Sequence, residues 1–402
     1  MIPLVDVQAE VLRSLIPLAP VTVPLEEALG LVLAAPVVAT EPVPPFANTA
    51  MDGYAVRATD TAGASSEEPV RLRVVGDLPA GHAPTVRVGP GDAIRIMTGA
   101  PIPEGADAIV MVERTARDGD DGVLVHLPAG EGDHLRPAGG DVVAGQLVFE
   151  AGRELGPAHL GVIASLGLGE VSVFPRVRVG VLSTGDELLE GPGELAPGQI
   201  RDSNRPMLLA MLRAAGADAV NLGIARDDEQ YVERVLVDAL ASCDAVITSG
   251  GVSVGDYDVV KAVLDRLGVL QWWQVAIRPA KPFAFGLLRG VPLFGLPGNP
   301  VSSHVSFELF ARPALRKMSG HVDLYRREVD AIALSAMPRR ADDKLHLDRV
   351  VVRYEGGRYL AERSGAQASN ALAAMALANG LALLPDGDGP KAGDTIRVML
   401  LD

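Results

Sequence analysis

Val181-Leu-Ser-Thr-Gly-Asp-Glu-Leu188 decides how this chain is read. The mostly apolar run from Val177 to Leu182 predicts a buried strand. It breaks into a Ser-Thr-Gly turn and then presents two adjacent carboxylates, Asp186 and Glu187. Open α/β sheets bind ligands beyond the carboxyl ends of their strands, so this break marks a candidate site edge.

Working outward, residues 176–318 alternate between two patterns. Strand-like runs at 177–182, 218–222, 244–248, 270–276 and 291–295 are separated by helical spacing at 204–215, 229–241, 257–267 and near 300–318. That rhythm predicts a mostly parallel, doubly wound α/β sheet. The other strand ends are also polar or Gly-rich: Ile224-Ala-Arg-Asp-Asp228, Thr248-Ser-Gly-Gly-Val-Ser-Val-Gly-Asp-Tyr-Asp258 and Phe294-Gly-Leu-Pro-Gly-Asn-Pro300. They should gather at one edge of the sheet.

Before this region the pattern differs. Helical spacing is expected at 6–17, with Asp6 as a candidate cap, and again at 25–33 before Pro36. Asp52-Gly53 is a tight-turn signal between extended pieces. From 54 to 140, short strand-like runs between Gly, Pro and Asp clusters predict a small β barrel or sandwich. A helix is expected at 156–167 and a strand at 170–174. After 325 the reading is β again, with a hairpin turning at Gly356-Gly357, a short helix at 370–377 and a last strand at 395–401.

The chain has 402 residues, too many for one ordinary domain. Its formal net charge of −15 argues against a nucleic-acid groove or an anionic membrane surface as main partner. A bound metal or a few bases can still reverse that field locally for a small anion. Cys243 is the lone cysteine, so no internal disulfide forms. The start of the chain shows no signal-peptide pattern, and no apolar stretch approaches about 20 residues. A cytoplasmic protein is expected.

The strand-end chemistry leaves alternatives. Ser249-Gly-Gly-Val-Ser-Val-Gly255 reads either as a nest of backbone amides for phosphate or as a plain tight turn. It is neither a nucleoside-triphosphate loop nor a dinucleotide fingerprint. Asp186, Glu187, Asp227, Asp228, Asp256 and Asp258 are each a helix cap or surface charge, or together part of a Mg²⁺–phosphate site. Arg278-Pro-Ala-Lys-Pro-Phe283 is a solvated loop or a rigid oxyanion site. Gly295-Leu-Pro-Gly-Asn-Pro-Val-Ser-Ser303 opens a helix whose amides suit an anion. The seven histidines fit no zinc or serine-hydrolase pattern.

Several stretches together resemble MoeA-type molybdopterin molybdenumtransferases, the class also found as one domain of gephyrin. They are Pro45-Phe-Ala-Asn-Thr-Ala-Met-Asp-Gly-Tyr-Ala55, Met97-Thr-Gly-Ala-Pro-Ile-Pro-Glu-Gly-Ala-Asp107, Ser183-Thr-Gly-Asp-Glu-Leu188 and Asp202-Ser-Asn204. Ser249-Gly-Gly-Val-Ser-Val-Gly255, Lys281-Pro-Phe-Ala-Phe-Gly286 and Gly295-Leu-Pro-Gly-Asn-Pro-Val-Ser302 follow in the family's order. Two positions depart from the family's pattern. Ala47 stands where members often have an acid, and Arg278-Pro-Ala-Lys-Pro282 where many have Lys-Pro-Gly-Lys-Pro.

The resemblance implies four parts: an elongated one from 1–45 with 140–175, an inserted β-rich domain at 46–139, an α/β domain at 176–325 and a C-terminal β-barrel at 326–402. It implies a homodimer whose site joins the α/β domain of one subunit to the Asp52 and Thr98 region of the other. The reaction implied is insertion of molybdate into adenylyl-molybdopterin with release of AMP. An adenylyltransferase would supply that substrate. Ser183, Thr184, Gly185, Asp202, Ser203, Asn204, Ser249, Gly250, Gly251, Pro297, Gly298 and Asn299 would bind substrate, with Arg278, Lys281 and Ser302 for molybdate. Asp186, Glu187, Asp227 and Asp258 would hold Mg²⁺. Asp52, Thr98, Glu187, Asp227 and Asp258 would act in catalysis. Adenylylation of molybdopterin, or a non-enzymatic scaffold on the same fold, are the alternatives.

Overall fold

The computed structural model describes residues 1–226, 228–250 and 259–401. At its centre is a six-stranded sheet. In spatial order the strands are Asp218–Ala225, Arg178–Thr184, Ala245–Ser249, Val291–Leu296, Pro282–Leu288 and Val269–Gln274. The first four run parallel. Pro282–Leu288 runs antiparallel to both its neighbours. Alternate side chains of the Arg178–Thr184 strand go to opposite faces, as a period of two requires. Val179 and Val181 enter a core with Leu208, Leu212, Val305 and Phe307. Leu182 enters another with Leu236, Val246 and Val263. Burial on both faces is why the run read as continuously apolar.

Three expectations change here. Residues 25–33 do not form a helix. A 3-10 turn at Leu25–Glu27 stops before Gly30, which has φ +74°, and Val32–Leu33 becomes a strand against Val173 and Phe174. The left-handed glycine ends the turn, and pairing buries the apolar run instead. Residues 278–283 are not simply a loop, because Ile277–Arg278 and Pro282–Leu288 are strands. Proline is tolerated as the first residue of a strand, where it costs no ladder bond. The helix near 300–318 carries a π turn at Phe307–Ala311 between Pro300–Ser306 and Arg312–Met318. Pro313 has no N–H and would crowd the carbonyl four residues back, so the helix widens ahead of it.

The N-terminal helix, Leu4–Arg13, starts after Pro3 rather than at Asp6. Val21–Pro24 and Val32–Leu33 flank Glu170–Phe174 in a small sheet. From there the chain departs and returns along an antiparallel ribbon. Val37–Val38 pairs with Leu147–Phe149, Val43 lies opposite Val142, and Asn48–Thr49 pairs with Leu135–Arg136. Beyond the ribbon is a six-stranded mixed sheet holding Gly53–Val56, Asp92–Ile96 and Ala108–Met111.

The C-terminal strands close on themselves. The order Leu345–Glu355, Arg358–Arg363, Glu328–Ala333, Thr395–Leu400 and Gly380–Leu384 returns to Leu345–Glu355, giving a five-stranded barrel. Its hairpin turns at Gly356 and Gly357, with φ +58° and +80°. Positive φ at both central residues is what a two-residue turn with the right twist requires. Among the described residues, no helix is long and apolar enough to cross a membrane.

Candidate active site

The carboxyl edge of the sheet is tied together by buried polar groups. Ser183 and Thr184 end the Arg178–Thr184 strand at 1% and 8% exposure. Ser183 Oγ donates to Asp202 Oδ1 at 3.1 Å, and Thr184 Oγ1 donates to the Ser249 carbonyl at 3.4 Å. Asn204 Nδ2 donates to Ser249 Oγ at 2.8 Å and to the Gly298 carbonyl at 2.7 Å. One amide therefore joins the loops carrying residues 204, 249 and 298. Asn204 Oδ1 and Thr248 Oγ1 are buried without a hydrogen bond among the described residues.

The glycines permit this closeness. Gly250 has φ +97°, and a Cβ on it would lie 2.8 Å from Thr184 Oγ1 and 2.9 Å from the Thr184 carbonyl oxygen. Its N–H donates to the Leu296 carbonyl at 3.1 Å. Gly185, at φ +140°, leaves room for Glu187, whose carboxylate folds back over it. Asp186 and Glu187 are both exposed. Asp228, by contrast, caps a helix, accepting from Gln230 N at 3.0 Å and Tyr231 N at 3.1 Å. Asp227, Gly251, Asp256 and Asp258 lie outside the described residues. Among the described residues, no group of three His, Cys, Asp or Glu side chains is placed to hold a metal.

The cations reach the same edge by strand register. Ala284 lies opposite Gly295 in the antiparallel pair, which sets Lys281 about level with Gly298. Arg278 and Lys281 are exposed and make no ion pair with any described residue. Arg278 pairs through its backbone with His346 of the barrel, so the cationic segment is anchored at both ends. Pro297, Gly298 and Asn299 lead into the next helix, where Ser302 is 5% exposed and Ser303 fully buried. The Val301 N–H is already used, donating to the Ser369 carbonyl at 3.2 Å. That end of the helix is less available to an anion than its sequence suggested.

Two residues near Ser203 escaped the sequence reading. Arg205 is 3% exposed; its Nε lies 3.2 Å from Asp202 Oδ2, and its Nη2 lies 2.7 Å from Glu190. Asp202 also accepts from the Arg205 N–H at 3.1 Å. Asp202 is thus held by Arg205 while it orients Ser183. The i,i+3 spacing of Asp202 and Arg205 at a helix start was the available signal.

The remaining predicted pair sits in the inserted sheet. Thr98 N and Thr98 Oγ1 donate to Asp52 Oδ1 at 2.7 Å and 2.8 Å. The backbone N–H of Thr98 most of all, then its hydroxyl, hold the Asp52 carboxyl below its ordinary value of 3.8, with Arg95 adding to the effect. Behind Asp52, a Cβ on Gly53 would overlap the Val110 carbonyl. No hydrogen bond or ion pair among the described residues joins the Asp52–Thr98 pair to the Ser183–Asn204–Ser249 edge.

Comparisons with known proteins agree along the whole chain. Residues 2–167 match the MoeA N-terminal region (domain I and II), 180–317 a probable molybdopterin binding domain, and 333–401 the MoeA C-terminal region (domain IV). A Mycobacterium tuberculosis protein named molybdopterin molybdenumtransferase 2 is 44% identical over 386 residues, covering 94% of each chain. A Haemophilus influenzae molybdopterin molybdenumtransferase is 37% identical over 377 residues, covering 93% of this chain and 92% of the other. The crystal structure of a molybdopterin biosynthesis MoeA protein from Pyrococcus horikoshii superposes with a TM-score of 0.83 at 31% identity, covering 100% of this chain and 99% of the other. With all three regions present and relatives this similar over nearly its full length, the chain belongs to the MoeA family of molybdopterin molybdenumtransferases.

Proposed function

We propose that this enzyme completes molybdenum cofactor: it inserts molybdenum from molybdate into adenylyl-molybdopterin and releases AMP. The observation that carries the reading is the Asn204 junction, which ties residues 204, 249 and 298 together at the sheet edge where the strand following Lys281 begins. The loops suit a pterin phosphate, and the adjacent cations suit an oxyanion. Both ligands are anionic and the chain is not, on balance, cationic, so local positive charge has to supply the attraction.

Ser183, Thr184, Gly185, Asp202, Ser203 and Asn204 face the pterin phosphate with Ser249, Gly250, Gly251, Pro297, Gly298 and Asn299. Arg278, Lys281 and Ser302 take molybdate; the Arg fork and the Lys ammonium fix different oxygens of it. The oxygen-only chemistry of Asp186 and Glu187 fits Mg²⁺, which uses one or two carboxylates together with substrate phosphate. Asp227 and Asp258 complete that set in this reading. Held by these carboxylates, Mg²⁺ would supply counter-charge to the pyrophosphate and Lewis acidity at its oxygens. Glu187, beside Gly185, orients water or a substrate hydroxyl at that bond.

Asp52 reaches the site from the other subunit of a homodimer. Thr98 occupies its Oδ1 and keeps it ionised, and no described residue bonds its Oδ2. A MogA-like adenylyltransferase hands over the substrate, in the cytoplasm. The four parts at 1–45 with 140–175, 46–139, 176–325 and 326–402 divide this labour.

Purified protein given adenylyl-molybdopterin, molybdate and Mg²⁺ should release AMP and yield a product that activates a molybdenum-free apo-enzyme. Production of adenylyl-molybdopterin from molybdopterin and Mg-ATP, with no AMP release on adding molybdate, would overturn the proposal.

A further inference from the structure

The edge of the α/β sheet opposite the Asn204 junction carries a second charged site. A cavity of about 170 Å³ lies where Pro175 and Arg176 enter the Arg178–Thr184 strand and Ala214 to Gly216 lead into Asp218–Ala225. These are the amino ends of parallel strands, so the cavity is separated from the candidate active site by the length of the sheet. Its other wall comes from the N-terminal part, through Gly30 to Val32 and Glu154.

Three arginines line it, Arg176, Arg213 and Arg316. Arg176 is fixed, donating from Nη1 to the Gly216 carbonyl at 3.3 Å and from Nη2 to the Leu29 carbonyl at 3.0 Å. Gly30 and Gly216, at φ +74° and +82°, form the turns against which it rests. Arg316 Nε donates to the Asp323 carbonyl at 2.8 Å, and its side chain is 18% exposed. Burial holds its pKa below the ordinary arginine value, against the opposing pull of Glu154 and Asp323. Arg213 is exposed in the last turn of the Asn204–Ala214 helix and pairs with no described residue.

Against these cations one carboxylate, Glu154, lies in the lining, and Asp323 acts on Arg316 from outside it. Glu154 is half exposed and shared, 3.7 Å from Arg316 and 3.1 Å from His321 Nε2. In a chain of net charge −15, a pocket with such a cationic excess is built for an anion. Guanidiniums arriving from separate elements, in a space of this size, suit a compact group with acceptors on several sides.

We propose that this cavity is an anion site for one tetrahedral dianion of phosphate size, binding between the N-terminal part and the α/β part. The anion accepts from Arg213 and Arg316 and cross-links helix ends to the Gly30–Val32 segment that leads into the Val32–Leu33 strand. Free phosphate and molybdate share that chemistry and are separate arms of the test.

The test is calorimetric titration of the full chain with inorganic phosphate, and separately with molybdate, at fixed ionic strength. An Arg278→Gln/Lys281→Gln background removes the cations of the other edge, and dependence on Arg213 distinguishes this site from any phosphate bound by the loops there. A saturable event is expected that is weakened about tenfold or more by adding Arg213→Gln, the loss of a charge-assisted bond. Arg213 is exposed, so the variant keeps the fold, which circular dichroism checks. Amide hydrogen exchange on the same protein should slow at Gly30–Val32 and Gly216 when the effective anion is present. Whichever anion gives the Arg213-dependent event is the ligand. Affinity unchanged by Arg213→Gln, or no saturable event with either anion up to about 10 mM, overturns the proposal.

Discussion

Replacing Asn204 with alanine tests the candidate site at its narrowest point. The amide makes bonds of 2.8 Å and 2.7 Å from a residue 8% exposed. Each is worth about 1 kcal/mol net, and leaving the buried Gly298 carbonyl without a donor adds about 1–3 kcal/mol. Asn204→Ala should therefore cost about 3–5 kcal/mol, summing those terms. The larger effect is positional. Asn204 spaces the 249 and 298 loops, and a shift of about 1 Å between groups holding a substrate costs about 10²-fold in rate. Asn204→Asp separates the two effects. It keeps the volume and can accept from Ser249, but it sets a carboxylate against the Gly298 carbonyl and beside the proposed anions. AMP release with adenylyl-molybdopterin and molybdate, followed alongside the denaturant midpoint, should show N204D less active than N204A at similar stability. Asn204→Ala within twofold of wild-type activity would refute the reasoning.

Asp52 should be visible in titration. Its folded pKa is depressed, so its contribution to stability is present above 3.8 and is lost only as pH falls through the lower folded value. Thr98→Val removes the hydroxyl but keeps the stronger backbone donor, so carboxyl NMR should find the Asp52 pKa raised part of the way back to 3.8; an unmoved value contradicts the assignment. If the site is shared across a homodimer, inactive Asp52→Ala and Glu187→Gln proteins mixed under subunit exchange should recover about a quarter of wild-type activity, since half the dimers are mixed and each has one intact site. No recovery despite demonstrated exchange would place both residues in one subunit's site. Gly53→Ala forces a Cβ into the Val110 carbonyl and should destabilise the inserted sheet by about 1–3 kcal/mol or more, read by thermal unfolding; an unchanged midpoint refutes that close packing.

The α/β part was the most legible, because strands buried on both faces leave unbroken apolar runs and their loops must carry the polar residues. Ser183 and Ser249 were found that way. Arg205 and Glu190 were not: the i,i+3 spacing of Asp202 and Arg205 allowed a pair, but an arginine on a helix gives no sign that it will be buried. The 25–33 segment misled for a related reason. Leu25, Leu29 and Leu33 have helical spacing, but Gly30 and the distant partners Val173 and Phe174 turn the chain into a strand, and long-range pairing leaves no local trace. Strand register likewise brings the start of Pro282–Leu288, next to Lys281, to the end of Val291–Leu296, which linear spacing could not state.

The ribbon from Val37 to Thr49 and from Leu135 to Phe149 has an evolutionary and practical consequence. Everything between its paired ends enters and leaves the molecule as neighbours about 5 Å apart. Such a segment can be lost, exchanged or lengthened without threading through the remainder. Closing the ribbon with a short turn between Thr49 and Leu135 should leave a soluble, folded remnant. The excised piece, with its own buried clusters around Val56 and Ile96, is a transplantable cassette. The segment that carries Asp52 is thus heritable separately from the rest of the chain.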